Sequence, residues 1–125
     1  MMIIGLGTDL CPPSRWQHLI DRFGADKCAN KFLHDDEAAY LLSGNQKRLA
    51  ERLAGRWALR EAFGKALGLG LSGWSWKSLR YMNGKLWSEG TLSELLLDRG
   101  ITRIHASVSH DGDIAMAFVI LEGPE

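Results

Sequence analysis

Two charged residues one helical turn apart, Glu61 and Lys65, interrupt RWALREAFGKALGLG (residues 56–70), a stretch otherwise suited to a packed helix. A carboxylate and an ammonium at i, i+4 have two uses. On an exposed face they form an intrahelical salt bridge worth ~0.2–0.5 kcal/mol, and helix geometry alone favours that reading. On an inward face such charges are costly unless they meet a metal or an anion. The neighbouring residues keep the second use open. Ala50, Ala54, Ala58, Ala62 and Ala66 form a row of small side chains, and Trp57, Glu61 and Lys65 form a second row beside it. A purely solvated pair would more naturally lie opposite that stripe. Other chemistry-bearing residues sit at the ends of elements: Asp9 after the first apolar stretch, and His110-Asp111 closing ASVSHDG. Taken singly, Asp9 and Asp111-Gly112 are turn formers and His110 is a surface histidine. Their value lies in combination.

The elements that must position these groups follow from periodicity. MIIGLGTDL (2–10) reads as a strand, with Ile3-Ile4 favouring it and its glycines marking close packing or a bend. PPSRWQHLIDRFG (12–24) reads as a short helix: Trp16, Leu19, Ile20 and Phe23 recur at i, i+3, i+4, i+7, and Gly24 ends it. HDDEAAYLL (34–42) starts another, with His34 or Asp35 near the N-cap. The longest helix is predicted over 45–68, stopped by Gly68 and Gly70. The period then changes. WSWKSLRYM and KLW are predicted strands joined by Asn83-Gly84, a hairpin signal. TLSELLLDRG reads as a helix with a Thr91/Glu94 capping box. ITRIHASVSH and DIAMAFVILE are the last two strands, and the alternation sets His105, Ser107 and Ser109 opposite His110. The order β-α-α-α-β-β-α-β-β, rich in hairpins, implies an α+β fold with a mainly antiparallel sheet packed on a long central helix.

The chain has 125 residues, which predicts one domain spanning 1–125. Fifteen Lys and Arg balance fifteen Asp and Glu, so the basic excess of a general nucleic-acid binder is missing. No apolar run approaches the ~18 residues of a membrane span, and the N-terminus lacks a basic leader. Cys11 and Cys28 match no common zinc spacing and read as reduced thiols of a cytoplasmic protein.

Three blocks together resemble a known family. GLGTDL is similar to its N-terminal Gly-x-Gly-x-Asp strand. LAGRWALREAFGKALGLG is similar to its Arg-Phe-Ala-Ala-Lys-Glu-Ala-x-x-Lys-Ala helix, and HASVSHDGDIAMAFVILE to its final His-x-Ser-x-Ser-His hairpin. KFLHDDE is a weaker fourth match. The family is the holo-acyl-carrier-protein synthases, the small bacterial type of 4′-phosphopantetheinyl transferase. The resemblance implies transfer of the phosphopantetheine arm of coenzyme A to a serine of an acyl carrier protein, with release of adenosine 3′,5′-bisphosphate. It further implies a homotrimer with sites between subunits.

Carried over by position, the resemblance makes Asp9 and Glu61 the ligands of a magnesium ion on the coenzyme A diphosphate. Magnesium, a hard cation, takes one or two carboxylates plus phosphate oxygens and water. Lys65 is expected to face phosphate and to share the catalytic work with Asp9 and Glu61. Arg56 is expected near the nucleotide's phosphates and His110 at the nucleotide, with Gly68 and Gly70 in the cofactor-binding loop. Arg15 is expected to meet the acidic carrier protein. The first candidate for deprotonating the serine is a water oriented by Glu61 or Asp9, and Asp35 is a second. The chain departs from the family pattern with Arg60 for Lys, Gly64 for Ser and Leu69 for Thr. Two other readings stand beside this one: a coenzyme A or nucleotide-binding module without turnover, and a structural partner-binding domain.

Overall fold

A computed structural model describes residues 1–125. Its elements, in chain order, are β1 (Met2–Cys11), α1 (Pro13–Phe23), α2 (Ala25–Phe32), α3 (Asp35–Leu42), α4 (Leu49–Leu67), β2 (Leu79–Met82), β3 (Lys85–Ser88), α5 (Gly90–Asp98), β4 (Arg103–Asp111) and β5 (Ile114–Gly123). β5 is the centre of a three-stranded antiparallel sheet of order β1-β5-β4, and β2-β3 form a separate antiparallel hairpin. The expected α+β architecture is therefore present, with every strand pair antiparallel.

The small residues explain why α4 can lie close against the sheet. Cys11, Ala115, Ala117, Val119 and Leu121 turn inward from β1 and β5, while Ala54, Ala58, Ala62 and Ala66 answer them from α4; all lie in one buried apolar core. The approach is closest at two glycines of β1. A Cβ on Gly7 would fall 1.9 Å from Ala62 O, and one on Gly5 would fall 2.0 Å from Ala66 O. The strand and helix backbones are thus in contact, and only glycine fits between them. This contact fixes the distance between β1 and the charged row of α4.

The end of α4 is also determined locally. Gly68 caps it in the left-handed region, at φ 77°, donating its N–H to Lys65 O at 3.0 Å. The chain then folds back so that Gly70 donates to Gly64 O at 3.0 Å. A side chain at 64 would meet Gly70 O, so only glycine fits there.

Four local expectations need correction. The stretch after Gly24, to which the sequence reading assigns no element, is helix α2; its short apolar face is Cys28, Ala29 and Phe32. The long helix begins at Leu49, because Asn45 accepts from Lys47 N at 2.9 Å and turns residues 46–48 into a 3-10 turn. WSWKSLRYM is a strand only from Leu79. Its tryptophans serve as anchors instead: Trp76 packs edge-on against Trp57 at 5.3 Å, and Trp74 against Phe63 at 5.1 Å. The Thr91/Glu94 capping box is not formed, since α5 starts at Gly90 with Glu89 as its cap. His34 does cap α3, its Nδ1 accepting from Asp36 N at 3.0 Å. No helix is long and apolar enough to cross a membrane.

Candidate active site

Asp9 and Glu61 converge. Asp9 sits opposite Ala117 in the β1-β5 register, so its side chain points inward toward α4. Its carboxyl faces that of Glu61, near enough for each to shift the other's titration. Lys65 Nζ donates to Asp9 Oδ1 at 2.8 Å and to Thr8 O at 3.1 Å. The ion pair of Lys65 is therefore with the strand, not with Glu61. The simple intrahelical salt bridge is absent, and the charged row of α4 turns toward a second carboxylate.

This arrangement is electrostatically lopsided. Burial raises the Asp9 pKa, but hydrogen bonds from Glu61 and Lys65 and the lysine's charge outweigh it and hold the group below the usual carboxylate range. Glu61 goes the other way. Burial, then its hydrogen bond to Asp9 and the repulsion of that carboxylate, push it up to about 7. The contact with Asp9 raises Lys65 above its ordinary value. Asp9 Oδ2 is buried without any hydrogen-bond partner. Two facing carboxylates, one of them with an orphaned oxygen, suit a hard dication that takes few protein ligands and completes its shell elsewhere.

Glu61 also closes one end of an apolar groove of about 650 Å³ between α1, α2 and α4. Trp16, Phe32 and Trp57 form its floor as a mutually tilted aromatic cluster, with centroids 4.9–5.9 Å apart. Arg15, Lys27 and Lys31 stand on its rim. The outcome for Arg15 is an exposed guanidinium beside the acidic pair.

Arg56 and His110 lie elsewhere. They share a cavity of about 300 Å³ with Tyr40, Tyr81 and Asn83. Arg56 and Lys65 are nine residues apart on one helix, which at ~100° per residue sets them on opposite faces. The structure thus brings Asp9, Glu61 and Lys65 together, and Arg56 with His110, but leaves α4 between the two groups. Gly68 and Gly70 are at the C-terminal end of α4, exposed, on the Lys65 side of the chain. Asp35 is exposed and pairs with Lys77 at 3.4 Å.

Arg56 is held by a residue that sequence reasoning passed over. Glu37 is fully buried and accepts from Arg56 Nε at 3.2 Å and from Arg60 Nη2 at 2.6 Å and Nη1 at 3.2 Å. Arg60, equally buried, also donates to Leu79 O at 2.7 Å and Trp76 O at 3.4 Å. One guanidinium thereby ties α3, α4 and the hairpin together, a fork that a lysine cannot make. Arg56 Nη2 completes the network at Tyr81 O, 3.3 Å away. A signal existed: Glu37 stands on the same face of its helix as Ala38 and Leu41, both buried.

Residues 5–119 match the family described as the 4′-phosphopantetheinyl transferase superfamily. The chain belongs to this family. Among curated relatives, the holo-[acyl-carrier-protein] synthase of Treponema denticola is 38% identical over 127 residues, covering 98% of this chain and all of that protein. The crystal structure of holo-[acyl-carrier-protein] synthase from Neisseria meningitidis superposes with a TM-score of 0.86 at 31% identity, over 97% of this chain and 99% of that one. A Bacillus anthracis holo-(acyl-carrier-protein) synthase in complex with CoA (3′,5′-ADP) gives a TM-score of 0.78 at 27% identity, over 99% of this chain and all of that one. The fold, with the long helix laid on an antiparallel sheet, is the fold of these synthases.

Proposed function

We propose that this chain, acting as one transferase unit, moves the 4′-phosphopantetheine moiety of coenzyme A onto a serine hydroxyl of an apo-acyl carrier protein. The serine oxygen forms a bond to the phosphorus that carries pantetheine. The phosphoanhydride bond breaks, and adenosine 3′,5′-bisphosphate leaves. The single observation that carries this reading is the meeting of Asp9 with Glu61 and Lys65, Glu61 also lining a groove rimmed by cations.

Phosphoryl transfer is mostly positioning and charge neutralisation. Asp9 and Glu61 are the proposed holders of a magnesium ion, which when bound supplies charge withdrawal from the diphosphate oxygens. Lys65, fixed to Asp9 and Thr8 O, presents its charge to the same phosphates. Glu61 is the group best placed to take the serine proton, directly or through one water. Arg15 and the rim lysines would draw an acidic carrier protein over the groove, and the apolar floor would receive its apolar side chains.

The two-sided arrangement of α4 supports a homotrimer with shared sites. A helix ~10 Å wide separates Arg56 and His110 from the acidic pair, so a single coenzyme A reaches both groups only when they come from neighbouring copies. The outer sheet face supports the same reading. Leu6, Leu10, Met116 and Phe118 point away from α4 and are 57%, 56%, 41% and 39% exposed, an apolar patch suited to burial in a closed ring. A cytoplasmic location is part of the proposal, in keeping with two buried, unpaired thiols.

The test is mass spectrometry of several apo-carrier proteins incubated with the chain, coenzyme A and magnesium. Gain of one phosphopantetheine arm is expected, with sharp loss of the gain in Glu61→Gln. Coenzyme A binding without any transfer would favour a non-catalytic module instead.

A further inference from the structure

Trp57 stands one turn before Glu61 on α4, and both open on the groove between α1, α2 and α4. Side chains of an α-helix lean toward its N-terminus, so a residue at i+4 covers the turn that precedes it. The carboxylate of Glu61 is thereby carried over the indole of Trp57. Against burial and Asp9, which raise the Glu61 pKa, Trp57 gives the largest opposing pull. A nearby N–H donor acts in that direction, because it favours the ionised carboxylate.

The other indoles near α4 are committed elsewhere. Trp74 donates to Gly70 O at 2.9 Å and Trp76 to Leu71 O at 2.8 Å, while the N–H of Trp16 is buried without an acceptor. Trp57 is only partly buried, and its ring is braced from three sides. It meets Phe32 at 5.1 Å and 83°, Trp76 at 5.3 Å and 82°, and Trp16 at 5.9 Å and 64°. Turning the indole away from Glu61 would break all three edge-on contacts. The two carboxylates also differ in what holds them. Asp9 is fixed by Lys65 at 2.8 Å, whereas no ion pair of the chain engages Glu61. An indole can donate but cannot accept or ligate a metal, so it can fix one oxygen of a carboxylate and leave the other for a cation.

We propose that Trp57 is a positioning residue: its indole N–H holds one oxygen of Glu61, so that the carboxylate meets a cation shared with Asp9 in one orientation. The proposal rests on the function given above and deepens it. The experiment first reads the indole in a proton–nitrogen correlation spectrum of the metal-free chain. The Trp57 indole peak, identified by its loss in Trp57→Phe, should move upfield in Glu61→Ala, while those of Trp74 and Trp76 stay. Calorimetry with magnesium in the presence of coenzyme A follows. Trp57→Phe keeps an aromatic floor but lacks the donor, and it should bind the ion roughly ten- to hundredfold more weakly. In transfer assays the same variant should lose kcat and keep its KM for the carrier protein. An indole peak that Glu61→Ala leaves in place, or magnesium affinity of wild-type strength in Trp57→Phe, would overturn the assignment. If Trp57→Phe does not fold, the peak shift in Glu61→Ala decides alone, the assignment then coming from the peaks lost in Trp16→Phe, Trp74→Phe, Trp76→Phe and Trp87→Phe. Wild-type protein without transfer to any carrier protein, yet with the Trp57 peak tied to Glu61 and magnesium affinity tied to Trp57, would sink the proposed function and leave the positioning role standing.

Discussion

A single methyl group on Gly7 should separate the two carboxylates. The Cβ of Gly7→Ala would lie 1.9 Å from Ala62 O and 2.9 Å from Ala66 N, whereas ordinary contact begins near 3.4 Å. Both obstacles are backbone atoms of α4, so no side chain can swing aside, and β1 must retreat by about 1.5 Å to reach that distance. Asp9 is two residues further along the strand on the same face, and it moves with Gly7. The 2.8 Å bond from Lys65 to Asp9 would then open past the ~3.2 Å limit of a good N–H···O contact. Overpacking of this kind costs ~1–3 kcal/mol of stability. A misplacement of ~1 Å at a reacting centre costs on the order of 100-fold in rate. Transfer kinetics and urea denaturation on the same preparation separate the two effects. The expected result is a folded protein with kcat/KM lowered about 100-fold and Asp9-dependent metal affinity weakened. Wild-type rate and stability in Gly7→Ala would refute the reasoning, because they would show that the strand–helix distance does not set the site.

Glu37→Leu should destabilise the chain by about 3–5 kcal/mol, since it leaves the buried Arg60 without a counter-charge, and adding Arg60→Met should recover most of that in urea titrations. Phe118→Glu, on the outer sheet face, should sediment as a monomer and lose transfer, while the wild type sediments at three times the chain mass. In metal-free protein, Glu61 is protonated in the fold up to about pH 7 but ionises near its ordinary 4.5 when unfolded. Its contribution to stability is then complete below pH 4.5 and lost as pH rises through 7. With solvent screening of a half-buried group, the loss is about 1–2 kcal/mol, readable as thermal stability against pH and absent in Glu61→Gln.

Long-period features carried most of the fold into the sequence. The alanine row, the alternation of the last two strands and the Asn83-Gly84 turn each express a repeat over many residues, and each element they predicted is present. The signals that failed were short. Helix α2 shows only Cys28, Ala29 and Phe32 as an apolar face, too little to stand out after a helix-ending glycine. The Thr91/Glu94 pattern was overridden by tertiary pairing, for Glu89 N donates to Ser78 O at 3.0 Å and sets the cap one residue before Gly90. At the site, the family resemblance named Asp9, Glu61 and Lys65, and their convergence is a matter of register that no local pattern encodes. Glu37 was hidden for a different reason. It stands in a run of three acids, and only its place on the face of Ala38 and Leu41 separates the buried member from its solvated neighbours.

The most direct test is titration of divalent cation into the chain with coenzyme A present, using calorimetry with magnesium and electron paramagnetic resonance with manganese. One ion per chain should bind, and either Asp9→Asn or Glu61→Gln should weaken it strongly. Binding of wild-type strength in both variants would contradict a cation shared between the first strand and the central helix.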